Sequence, residues 1–129
     1  MDKQVFQQRT KKLAVRIIKM SEVLPKSWAA EVIGKQVIRC ASSVGSNYRA
    51  ACRAKSTADM INKLKIVEEE ADETLFWLEL LVESELVAES KLKELMKETD
   101  EILAMTVASI NTLRGRKPQS SIVNRQSKI

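Results

Sequence analysis

The chain has 129 residues, 44% of them apolar and 30% charged, which is enough for one domain with a single core. It holds no His and only two Cys. That excludes di-iron chemistry through Glu-x-x-His pairs, ribonuclease chemistry by an Arg and a His, and tetrahedral zinc. The formal charge of +5 is unevenly spread, with +9 over residues 1–55, −6 over 56–84, −2 over 85–114 and +4 over 115–129. Such polarity suits an anionic partner or association between copies.

Scarce aromatics, three Gly and two Pro favour helices over sheets. Phe6, Thr10, Leu13, Ile17, Met20 and Leu24 recur at steps of four and three, the seam of a first helix that Pro25 ends. Arg9, Lys12, Arg16 and Lys19 form a basic row on its flank, while Val15 and Ile18 lie off the seam. Ser27 caps a second helix from Trp28 to about Ala54. Its inner side carries Ile33, Val37, Cys40, Val44, Tyr48 and Ala51. Its outer side carries Lys35, Arg39, Ser42, Ser46, Arg49 and Arg53. Gly45, beside Ala41, Ser42, Ser46 and Ala51, allows close approach of another helix. Cys40 and Cys52 stand about 18 Å apart along one helix, too far for a disulfide, and read as small buried thiols in a reducing compartment.

Ser56 with Asp59 resembles a capping box and starts a third helix, Thr57 to about Val82, with Met60, Leu64, Val67, Ala71, Leu75, Leu78 and Val82 inward. Ile66, Phe76, Trp77 and Leu80 lie off that stripe. After a polar interval, Ser90 is the cap expected for a fourth helix, whose seam runs from Leu92 through Thr99 and Ile102 to Leu113 before Gly115 and Pro118 stop it. The economical arrangement is an all-α, antiparallel up-down-up-down four-helix bundle over residues 1–114. Residues 115–129 are too polar to dock and are expected to form a flexible basic tail. No stretch approaches the ~20 apolar residues of a membrane span and the first residues lack the apolar region expected of a signal peptide, so the cytoplasm is the expected compartment.

The outer row of the second helix has two readings. Its cations are solvated or paired with Glu of a neighbouring helix or subunit, or they contact phosphates while Ser42 and Ser46 donate hydrogen bonds. No exposed aromatic platform accompanies it, so base stacking has little support. The off-stripe residues also have two readings: partial cover by long neighbouring side chains, or burial against another subunit with Trp77 as anchor. Glu69-Glu70-Ala71-Asp72-Glu73 followed by Glu98-x-x-Glu101 resembles the Mg²⁺ motif of all-helical nucleoside triphosphate pyrophosphohydrolases. Helical phasing turns Glu69 and Glu73 nearly opposite the inner stripe, against convergence with Glu98 and Glu101. No cofactor or metal is expected.

The run from Gln36 to Ala51, with Ser46-Asn47 at its centre, resembles the bacterial four-helix-bundle family encoded in intervening sequences of large-subunit ribosomal RNA genes. Lys63-Leu64-Lys65-Ile66-Val67 through Phe76-Trp77-Leu78-Glu79 is also similar to members of that group, and the likeness covers about residues 5 to 112. The resemblance implies a non-enzymatic, ring-forming homo-oligomer, typically a pentamer. A relative, the accessory protein of diversity-generating retroelements, binds a reverse transcriptase and nucleic acid through a basic surface. The expectation is therefore a homo-oligomeric bundle that binds RNA or DNA, with a protein-binding adaptor for an acidic partner as the alternative.

Overall fold

A computed structural model of the protein describes residues 2–115. Residues 116–129, on which almost all of the expected basic tail falls, lie outside the described residues. Among the described residues the fold has four helices: α1 (Lys3–Glu22), α2 (Trp28–Cys52), α3 (Thr57–Glu83) and α4 (Glu89–Leu113). Consecutive helices pack antiparallel around one core, α2 against both α1 and α3, and α3 against α4. The α1–α4 side that would close the ring is much the sparsest. No helix among the described residues is long and apolar enough to cross a membrane.

Each start has a local cause, with one exception. Asp2 accepts hydrogen bonds from the amides of Gln4 and Val5 at 2.8 and 3.2 Å. The Ser27 hydroxyl accepts from Ala30 and that of Ser56 from Asp59, both at 3.1 Å. Asp59 reaches back to the Lys55 amide at 3.2 Å, so the box at α3 closes one residue further out than its usual form. The fourth helix departs from expectation: it begins at Glu89 behind Ala88, with no side-chain cap, and Ser90 lies inside it. The connection before it is tight. Glu85 adopts φ 63°, and the amides of Leu86 and Glu85 return to the carbonyls of Leu81 and Val82 at 3.0 Å each, closing the end of α3 with a non-glycine residue in the left-handed region.

The core follows the expected stripes on α1 and α2. Phe6 stands edge-on to Tyr48 with centroids 4.6 Å apart, and Leu13, Ile17, Val37, Cys40 and Val44 are fully buried. The α1 backbone at Thr10 and Lys11 passes Gly45 so closely that a methyl there would sit 3.6 Å from the Thr10 carbonyl. The stripe of α3 needs correcting in its second half, where Thr74 and Leu81 are buried while Leu75 and Val82 are only half-buried. Buried threonines serve as core residues by returning their hydroxyls to their own helices, Thr74 to Glu70 at 2.8 Å, Thr99 to Leu95 at 2.7 Å and Thr106 to Ile102 at 2.8 Å.

Candidate nucleic-acid interface

With Val37, Val44 and Tyr48 turned into the core, the helical period carries Lys35, Arg39, Ser42, Ser46, Arg49 and Arg53 to the outside, and all six are exposed. Their electrostatic situations differ. Lys35 lies 3.3 Å from Glu31 one turn back, in a pair so exposed that water and salt loosen it. Ser46 donates to the Ser43 carbonyl at 3.3 Å. Arg49 and Arg53 make no ion pair or side-chain hydrogen bond among the described residues.

Arg39 is different, because it leans across the α2–α3 seam. Its guanidinium meets Glu73 at 2.6 Å and Glu70 at 3.3 Å, so its charge is already answered within the chain. Glu73 is a hub, since the same oxygen accepts from the Cys40 thiol at 3.0 Å and the Trp77 indole N–H at 3.1 Å. The thiol, the indole and the guanidinium hold the Glu73 carboxyl below its usual range. Burial, reinforced by Glu73, pushes the Cys40 thiol up to about 12, which keeps it neutral and inert near neutrality.

The basic row of α1 turns to the opposite side of the bundle. Arg9 spans the α1–α4 seam, donating to Glu98 at 2.7 and 2.8 Å, to Glu101 at 2.6 Å and to the Met105 sulfur at 3.2 Å. Chiefly through its hydrogen bond, Arg9 lowers the Glu98 pKa. Arg16 and Lys19 face a groove between the end of α1 and the start of α4, and Lys12 is exposed on the same row. The two rows therefore lie on different flanks and do not merge into one basic surface.

These pairings also bear on the carboxylate motif. Glu70 and Glu73 serve the α2–α3 seam and Glu98 and Glu101 the α1–α4 seam, so the four do not converge on a cation. Cys40, Glu70 and Glu73 could in principle share a metal, their ligand atoms lying within 4.8 Å of one another, but the Arg39 guanidinium already neutralises that cluster.

Of the off-stripe residues on α3, Ile66 and Phe76 are exposed, whereas Trp77 and Leu80 are half-buried against the core. Phe76 and Trp77 meet edge-to-face at 5.1 Å. The sequence reading missed Trp28, which is 84% exposed at the start of α2 and lies, by antiparallel packing, at the end of the bundle where α3 finishes. It also missed Lys91, which belongs with Arg16 and Lys19 through tertiary structure alone.

The model of the 23S rRNA-intervening sequence protein family matches residues 2–108. Among solved structures, the chain is similar to a protein of unknown function from the S23 ribosomal protein family of Bacteroides thetaiotaomicron VPI-5482. The two share 34% sequence identity and superpose with a TM-score of 0.79 over 86% of this chain and 99% of that one. No curated protein matches the chain.

Proposed function

The chain belongs to the 23S rRNA-intervening sequence protein family, and from that premise we propose that it is a non-enzymatic, self-associating helical bundle that binds a nucleic-acid backbone through the outer face of α2. The observation that carries this reading is the pair Arg49 and Arg53, exposed and without acidic mates among the described residues, in line with Lys35 and the hydroxyls of Ser42 and Ser46. Arg and Lys would neutralise phosphates and the hydroxyls would donate to phosphate oxygens, contacts that position a nucleic acid without reading its sequence. RNA is the first ligand to test, because the family description links the protein to a ribosomal RNA gene.

Self-association is the second half of the proposal. Phe76 and Trp28 leave apolar area in water that a single chain gives no reason to keep, and Trp is favoured at interfaces. Repetition of a three-cation row around an assembly, a pentamer in our reading, would turn weak contacts into useful avidity. A gel-shift titration of structured RNA against the full chain at low salt tests the binding half. Complexes lost on replacing Lys35, Arg49 and Arg53 by Ala support it, whereas no complex at all would favour an adaptor for an acidic protein.

A further inference from the structure

A cavity of about 490 Å³ opens where the end of α1 and the α1–α2 connection meet the α3–α4 connection and the start of α4. Its size falls within the range of small-ligand sites, about 300–1,000 Å³. It lies on the α1–α4 side of the bundle, where the helices pack most sparsely. The lining has an unusual division of labour. Its polar side chains are Arg16, Lys19 and Lys91, all cations, and every other contributor is apolar, Leu24, Val87 and Leu92 among them. Among the described residues no carboxylate and no neutral hydroxyl or amide side chain lines the groove, and none of the three cations makes an ion pair, although Arg16 is near enough to help lower the Glu98 pKa.

That combination selects a ligand chemistry. A sugar or nucleobase placed against the apolar wall would leave its polar edges without side-chain partners, which is costly away from water. A purely apolar ligand would bring no counter-charge to the three cations gathered around it. We infer that the groove binds a single-chain anionic amphiphile, with a hydrocarbon tail along Val23, Leu24 and Val87 and a carboxylate head held by Arg16, Lys19 and Lys91. The inference does not depend on nucleic-acid binding, since no residue of the α2 row lines the groove.

Calorimetric titration of the full chain with dodecanoate, below its micelle-forming concentration, tests it. Saturable binding is expected, tightening about fourfold per added methylene across the series from octanoate to dodecanoate. The double variant Lys19→Glu/Lys91→Glu alters two exposed, unpaired positions, and its fold is checked by circular dichroism. It should bind dodecanoate at least tenfold more weakly and should gain affinity for dodecyltrimethylammonium. Absence of saturable binding to the wild-type chain, equal binding of the cationic amphiphile, or unchanged binding by the double variant would each overturn the inference.

Discussion

Arg39 and Glu73 meet across the α2–α3 seam with 2.6 Å between guanidinium nitrogen and carboxylate oxygen, and that oxygen also serves Cys40 and Trp77. A side chain that looks in the sequence like the head of a binding row is thus largely a clasp between helices. Replacing Glu73 by Ala removes the acceptor of all three donors. The expected loss is about 1 kcal/mol, discounted for the solvent that reaches the pair, and is measured as a lower urea midpoint. Arg39→Ala, by contrast, should weaken RNA binding less than Arg49→Ala does.

The Cys40 thiol supplies a pH test. Its folded pKa, about 12, is raised above the unfolded value of about 8.5. A raised pKa means that the stability this group contributes is fully present below the unfolded value and is lost as pH rises through the folded one. Stability should therefore decline between about pH 9 and 12, and a Cys40→Ala variant should show a shallower decline. At pH 8 a thiol reagent should modify the half-exposed Cys52 first and reach buried Cys40 only on unfolding.

Glu85 holds φ 63° at the end of α3, where a side chain is strained and glycine is not. Glu85→Gly should raise stability by about 0.5–1 kcal/mol, read as a higher thermal midpoint. A decrease would mean that the Glu85 side chain contributes more than its backbone costs.

Phe76 is the off-stripe aromatic with most of its surface in water, 51% exposed. If the α3 patch joins subunits, Phe76→Ser should yield smaller particles by light scattering with the monomer fold intact by circular dichroism. Trp77→Ala should reduce mass as well but also cost stability, because Trp77 packs on the core and donates to Glu73.

The helices and most of the core were legible because they rest on local rules: Asp59 three residues beyond Ser56, and the recurrence of Val37, Val44 and Tyr48 at helical spacing. The reading slipped where polarity misled it. Thr74 hides in the core by bonding its own helix, whereas apolarity alone favours Leu75 and Val82 for the stripe. Ser90 offers a good cap, yet the tight turn at Glu85 starts α4 before it. The outer row of α2 was legible as an exposed face, and its six positions are exposed, but its charge balance was not legible. A helical wheel shows that Arg39 and Arg9 face outward; it does not show that Glu73 and Glu98 wait on the neighbouring helix. The same limit hid the convergence of Lys91 with Arg16 and Lys19, which depends on how α1 and α4 diverge.

If Arg49 and Arg53, with Lys35 released from its loose pair with Glu31, meet phosphates, the salt dependence of binding shows it most directly. Filter-binding of the wild-type chain to structured RNA should weaken linearly with rising log salt. The Lys35→Ala/Arg49→Ala/Arg53→Ala variant should flatten that slope by about 2–3 per chain engaged, since each lost phosphate contact removes roughly 0.7–0.9. An unchanged slope, or wild-type binding indifferent to salt, would contradict the account.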